Sequence, residues 1–191
     1  NNGEMGIGSG IVWDSDPANE YEEAKLKSHF LTKSNKYFEL LETMLIENGQ
    51  IFLRDLHINR LKNAANYFIF NFDETKINKI LNKTLEGLYR NIKFKLRLTL
   101  TKWGEVKINL ERIITHKSLS RIIVSNNCID RSDRFIYFKT TNRNLYDSEY
   151  KKWKSNGFDD VIFINENGFV TEGAISNIMI SKNGKLTTPP I

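Results

Sequence analysis

Three of the five Asn-Gly pairs in this chain, Asn48-Gly49, Asn167-Gly168 and Asn183-Gly184, follow apolar or strand-like runs, and they constrain its fold more than any other feature. Both residue types tolerate the positive φ that a tight hairpin turn demands: glycine has no Cβ, and the short asparagine amide hydrogen-bonds locally. The first pair, in Glu47-Asn48-Gly49-Gln50, separates the apolar run from Phe38 to Ile46 from Ile51-Phe52-Leu53. Glu166-Asn167-Gly168 and Lys182-Asn183-Gly184 mark two more hairpins. The chain must therefore build antiparallel strand pairs at both ends of its main body.

Helical signals alternate with these strands. Asp55 is placed to cap a helix that carries Leu61, Ala64, Ala65 and Phe68 on one face, and Asp73 to cap another striped by Ile77, Ile80, Leu81, Leu85 and Leu88. Phe94, Leu96, Leu98 and Leu100 alternate with Lys95, Arg97, Thr99 and Thr101, which predicts a half-buried strand. Residues 106–110 and 121–125 are further predicted strands, residues 135–138 an apolar strand ending at Lys139, and residues 146–156 a helix stopped by Gly157. The class is α/β (α+β), with two small lobes, residues 37–120 and 121–191, parting around residues 115–130. Thr115-His116-Lys117-Ser118-Leu119-Ser120 marks a loop there.

The first residues differ in character. Gly3, Gly6, Gly8 and Gly10 lead into Ile11-Val12-Trp13 and Asp14-Ser15-Asp16-Pro17, and a short helix is predicted from Glu20 to Lys27 with acids at its positive N-terminal end. The polar stretch of residues 32–36 reads as a linker, so residues 1–31 stand apart. With 191 residues, 40% of them hydrophobic, the chain can fill an ordinary globular core. Cys128 is the single cysteine, which excludes an internal disulfide and fits a reducing cytoplasm. No apolar run has the length of a membrane span. The net charge of +5 is scattered along strands and helix faces as a solvated surface, and no nucleic-acid-binding signature accompanies it.

One constellation carries chemistry. Lys139, in Phe138-Lys139-Thr140-Thr141-Asn142-Arg143, is followed by Glu172 in Val170-Thr171-Glu172-Gly173-Ala174-Ile175-Ser176-Asn177. An amine at a strand end and a carboxylate after a tight turn suit a cofactor that needs a Schiff-base lysine and an acid against its ring nitrogen, as pyridoxal phosphate does. Leu56-His57-Ile58-Asn59-Arg60-Leu61 adds a guanidinium, whose planar fork matches a phosphate. His57 reads as a packed structural histidine.

With these residues in order, residues 37–190 resemble the fold-type IV pyridoxal-phosphate enzymes. These have a D-amino acid aminotransferase-like fold and include branched-chain aminotransferases, D-amino acid aminotransferases and 4-amino-4-deoxychorismate lyases. The resemblance implies Lys139 as the covalent cofactor residue and general base, Glu172 as the ring-nitrogen partner and Arg60 as the phosphate anchor. Ser176 and Asn177 match positions near the phosphate. Thr43 aligns with a strand bordering the substrate, and Arg97 is a candidate partner for a substrate carboxylate. Leu186-Thr187-Thr188-Pro189-Pro190-Ile191 matches the family's Thr-Pro segment. Family members continue into a second set of phosphate ligands, so the C-terminal lobe is expected to be incomplete here.

The N-terminal stretch resembles the end of chorismate-utilising synthases, in which two glutamates three apart hold magnesium; Glu20 and Glu23 match. The rest of that domain lies outside the sequence, so a complete magnesium site is not expected. A synthase tail followed by a fold-type IV module resembles the bifunctional para-aminobenzoate synthases of folate biosynthesis. That implies lyase activity on aminodeoxychorismate, a homodimer, and an upstream synthase domain working with a glutamine amidotransferase. Phe38-Glu39-Leu40-Leu41-Glu42-Thr43-Met44 is also lyase-like. Two alternatives stay open: a branched-chain or D-amino acid aminotransferase of the same fold, and a non-catalytic fragment or interaction module.

Overall fold

Asp16 starts the first helix. Its Oδ1 accepts the backbone N–H groups of Ala18 and Asn19 at 3.0 and 2.9 Å, and Pro17 takes the first helical position, where its missing N–H costs nothing. The resulting α1 (Pro17–Thr32) is longer than the 20–27 segment predicted, because capping reaches back to Asp16. This computed structural model describes residues 4–32, 37–114 and 120–189. The chain divides into two units, Asn1–Tyr37 and Phe38–Ile191. Of the predicted linker at residues 32–36, Thr32 instead ends α1; residues 33–36, most of the 115–120 loop and residues 190–191 lie outside the described residues.

In the second unit β1 (Leu40–Glu47) turns through Asn48 and Gly49, at φ 54° and 76°, into β2 (Gln50–Ile51). Next come α2 (Arg54–Phe68), α3 (Glu74–Glu86), β3 (Phe94–Leu100) and β4 (Val106–Arg112). The sheet is antiparallel in the order β2-β1-β3-β4, with Glu42 opposite Leu98 and Thr43 opposite Arg97. Strand alternation puts Leu40, Met44, Ile46, Leu96, Leu98 and Leu100 on one face. There they pack with Ile58, Leu61, Ala64, Ala65 and Phe68 of α2 and Ile77 and Leu81 of α3. Each fully buried leucine or isoleucine contributes about 1.5–3 kcal/mol. Asp73 caps α3 as expected, accepting from Lys76 N–H at 2.9 Å. Asp55 does not cap α2: the cap falls two residues earlier, at Leu53 in the left-handed region.

The second sheet pairs β5 (Ile122–Val124) in parallel with β6 (Asp160–Ile164), which pairs antiparallel with β7 (Val170–Gly173). The crossover contains α4 (Asn144–Ser155). Leu145, Tyr146, Tyr150 and Trp153 of this helix pack against the cluster of Ile129, Val161, Phe163 and Ala174. A last hairpin joins β8 (Ile180–Lys182) to β9 (Lys185–Thr187), its Asn183 and Gly184 again at positive φ.

The segment before Lys139 departs from expectation. Instead of a strand, Arg134–Tyr137 forms a 3-10 turn capped by Asp133, whose Oδ1 accepts from Phe135 N–H at 2.9 Å. The three-residue period lets Phe135 and Phe138 enter one aromatic cluster while Tyr137 stays exposed. Phe135 meets the Phe38 ring edge-on at 5.0 Å, and Phe138 meets Phe68 at 4.9 Å. Only then does the backbone extend beside β1. Leu41 N–H donates to Lys139 O and Thr141 N–H to Glu39 O, both at 2.9 Å. This short pairing fixes Lys139 against the first sheet.

Candidate active site

Glu42 breaks the apolar stripe of β1, and everything around it answers that charge. Its side chain is 1% exposed. Arg60, on the facing side of α2, donates from Nε to Oε1 at 2.7 Å and from Nη2 to Oε2 at 2.5 Å; His57 Nδ1 lies 2.8 Å from Oε2. Burial pushes the Glu42 carboxyl upward, but the hydrogen bonds from Arg60 and His57, with their charges, outweigh it and leave the acid below its ordinary value. Glu42 in turn raises Arg60, principally through the hydrogen bonds. The guanidinium side chain stays 53% exposed, so one part is locked while the remainder is open to an anion.

Lys139 is half-buried beside this pair. Burial is the largest influence on its amine and lowers its proton affinity; the charges of Arg60 and Arg143 lower it further, against a smaller opposing pull from Glu42 and Glu172. An amine depressed in this way is a better nucleophile and base near neutral pH than a solvated lysine. The structure thus brings Arg60 and Glu172 each within electrostatic reach of Lys139, although the two are 112 residues apart in the chain.

Glu172 lies on β7, and its Oε1 accepts from the Tyr146 hydroxyl at 2.6 Å. Arg143 donates to Ala174 O through Nη2 and to Asp147 Oδ1 through Nε at 3.1 Å. The turn after Glu172 is held from the other side by Asp160. Its Oδ1 accepts from Val161 N–H at 2.8 Å and Ile175 N–H at 3.2 Å. A Cβ at Gly173 would meet Asp160 Oδ2 and Ser176 O at 2.7 Å each, so this close turn admits only glycine.

The remaining expected residues are placed as follows. Ser176 and Asn177 are exposed on that same turn, beside a groove of about 440 Å³ that Asp160, Ile162 and Met179 also line. Thr43 and Arg97 are cross-strand neighbours on the face of the first sheet opposite Glu42, and the structure does not group them with the Glu42–Arg60 pair. In the first unit, Glu20 accepts from the hydroxyls of Ser9 and Ser15, the latter at 2.8 Å, and Glu23 pairs with Lys27 at 2.6 Å. Among the described residues no three His, Cys, Asp or Glu converge as a metal site. No helix among them is long and apolar enough to cross a membrane.

Sequence reasoning missed Glu42, Arg143 and Tyr146. Glu42 left a signal, a lone acid at a core-facing position between Leu40 and Met44. Tyr146 left none, because its partner is 26 residues away.

The family profile for amino-transferase class IV matches residues 39–191. A protein of Schizosaccharomyces pombe, provisionally named aminodeoxychorismate lyase, is 30% identical over 163 residues; the match covers 80% of this chain and 66% of that protein. The chain thus spans about two thirds of that relative's length. A solved structure from Mesorhizobium loti, provisionally named an amino-acid aminotransferase, superposes with a TM-score of 0.72 at 28% identity, covering 80% of this chain and 75% of that one. The PLP-bound form of a hypothetical aminotransferase from Mycobacterium tuberculosis has the same fold, with a TM-score of 0.63 at 18% identity over 80% of this chain and 60% of that one.

Proposed function

The chain belongs to the amino-transferase class IV family, and on that premise we propose that it is a pyridoxal-phosphate-dependent lyase converting 4-amino-4-deoxychorismate to 4-aminobenzoate and pyruvate. The observation that carries the reading is the half-buried Lys139 amine, depressed by burial and by Arg60 and Arg143, with Glu172 in reach. The donor set fits the cofactor: an amine for its carbonyl carbon, a half-exposed guanidinium for its phosphate, and a carboxylate for its ring nitrogen. Bound there, pyridoxal phosphate supplies an electron sink for the carbanion that forms as the substrate loses its C4 proton.

This chain's residues do the rest. Arg60, held by Glu42, anchors the phosphate. Glu172 holds a proton at the ring nitrogen. Lys139 Nζ takes the C4 proton of the substrate, the C3–O bond breaks, and the ring becomes aromatic as enolpyruvate leaves and takes up a proton to become pyruvate. The lyase name of the S. pombe relative supports this choice of substrate. We further propose that Thr43 and Arg97 border the substrate from the open face of the first sheet, that Ser176 and Asn177 approach the phosphate, and that the protein is a cytoplasmic homodimer. The first unit, with Gly6–Pro17, Glu20 and Glu23, we read as the end of a synthase domain of a bifunctional para-aminobenzoate synthase in folate biosynthesis. Magnesium would then belong to that domain, with a glutamine amidotransferase as partner.

A second reading, an amino acid aminotransferase of the same fold, is favoured by the M. loti structure. One experiment tests both. Borohydride reduction after incubation with pyridoxal phosphate, followed by peptide mass spectrometry, is expected to place the label on Lys139; a label elsewhere, or none, refutes the cofactor reading. Pyruvate release from aminodeoxychorismate without an amino acceptor then selects the lyase. Conversion of bound cofactor to its amino form by a single amino acid selects the aminotransferase.

A further inference from the structure

The chemistry proposed above uses Lys139, Glu172 and Arg60 and leaves a tyrosine beside them without a role. Tyr146 lies in the first turn of α4, seven residues after Lys139. Its ring meets Phe163 edge-on at 4.8 Å, and the Arg143 guanidinium lies 5.0 Å from the ring centroid. Ring and hydroxyl are therefore fixed by packing as well as by hydrogen bonding. Glu172 has no such enclosure. It is exposed on β7, where a free carboxylate side chain samples several rotamers and loses that freedom on engaging a ligand.

We propose that Tyr146 is the positioning residue for Glu172, holding Oε1 by its donated hydrogen bond so that Oε2 is presented to the ring nitrogen of the bound cofactor. The inference rests on the pyridoxal-phosphate reading. Burial, and then donation to Glu172, hold the Tyr146 phenol well above its ordinary value, so it remains a donor at any pH near neutrality. Arg143 reinforces the arrangement by binding the carbonyl of Ala174, two residues past Glu172. The helix that follows Lys139 is thereby joined to the Glu172 strand at two points. Amine and acid are set relative to each other through side chains of the same helix turn.

The test is a double-mutant cycle of Tyr146→Phe and Glu172→Gln on the full chain. It reads the dissociation constant for pyridoxal phosphate and the absorbance spectrum of the bound cofactor against pH. Tyr146→Phe is expected to weaken binding about tenfold, the equivalent of losing one hydrogen bond to a charged group. It is also expected to shift the pH at which the ring-nitrogen proton is lost. In the Glu172→Gln background the second change should add nothing, because Tyr146 acts through Glu172. Additive losses overturn the proposal, and so does a Tyr146→Phe chain with wild-type affinity and spectrum. If affinity falls only in step with the unfolding temperature of the cofactor-free variant, the role is structural and the proposal fails. If the wild-type chain takes no label on Lys139 after borohydride reduction, the cofactor reading falls and this inference with it; labelling with an additive cycle refutes this inference alone.

Discussion

Glu42 and Arg60 form an ion pair of very unequal exposure, 1% against 53% of the side chain, and the inequality predicts which partner is costlier to remove. Arg60→Ala leaves a carboxylate between Leu40, Met44 and Leu98 with His57 as its remaining partner. Stripping one member from a buried pair costs about 3–5 kcal/mol, and the surviving His57 contact sets the expectation at about 3 kcal/mol, the lower end. Glu42→Gln leaves the guanidinium half in water, where it is solvated, and puts a neutral amide that still accepts a hydrogen bond in the buried position. Only the charge-assisted part is lost, about 1.5 kcal/mol, and solvent screening of the half-exposed Arg60 keeps it from being larger. At about 2–4 °C per kcal/mol for a chain of this size, Arg60→Ala should lower the melting temperature by about 6–12 °C and Glu42→Gln by about 3–6 °C.

Urea unfolding and thermal melts of the cofactor-free chain read these differences directly. The decisive comparison adds Glu42→Leu to Arg60→Ala: with the stranded charge replaced by an apolar side chain, the double variant should be more stable than Arg60→Ala alone. Acidity gives an independent arm. Glu42 is held below its ordinary value, so its contribution is complete above the unfolded-state value of about 4.3 and fades as pH falls through the lower folded one. Removing Arg60 removes the leading cause of that depression, so Arg60→Ala should lose less stability on acidification than the parent chain, because protonation relieves the stranded carboxylate. Equal costs for the two single variants, or a double variant less stable than Arg60→Ala, would refute the reasoning.

Three further outcomes follow from local geometry. Gly173→Ala forces a Cβ to 2.7 Å from Asp160 Oδ2, itself fixed by two backbone N–H groups, and from the Ser176 carbonyl; it should cost about 1–3 kcal/mol and reduce borohydride labelling of Lys139, and an unchanged melt contradicts it. Ile69 ends α2 at φ 58° and is 80% exposed, so Ile69→Gly relieves a left-handed β-branched residue without losing packing and should stabilise by about 1 kcal/mol in urea unfolding. Lys139, its amine depressed by burial and by Arg60 and Arg143, should react with an amine-selective acylating reagent at neutral pH ahead of fully exposed lysines. Arg143→Ala should slow it; peptide mass spectrometry that finds Lys139 among the last lysines modified would count against the site.

Elements whose cause is local were legible. The three Asn-Gly turns read as hairpins do form them, because the positive φ they need is a property of the residues themselves: Asn48 and Gly49, Gly168, and Asn183 and Gly184 all occupy it. The leucine alternation of β3 is equally self-contained. Where the cause is tertiary, the reading fails. Residues 135–138 look like an apolar strand, yet they form a 3-10 turn, because Phe38 and Phe68 offer a pocket that only an i, i+3 spacing can fill with both Phe135 and Phe138. Nothing within the four residues encodes that pocket. Likewise Asp55 carries a capping signal, but α2 starts where the hairpin delivers the chain, at Leu53.

The site divides along the same line. Lys139, Arg60 and Glu172 stand out because each brings a distinct chemistry, and a recognisable order along the chain, to one cofactor. Their supporting residues do not, because support is a matter of contact. Glu42 is intermediate: an acid at a core-facing position must find a cation or lose its charge, so its presence announces a partner without naming it. The fold supplies Arg60, 18 residues away on α2. Tyr146 is the opposite case, a residue at home in any amphipathic helix until the fold sets its hydroxyl 2.6 Å from Glu172. Sequence therefore reveals a carboxylate that needs a partner more readily than a tyrosine that serves one, because only the first would violate the physics of its position if left alone.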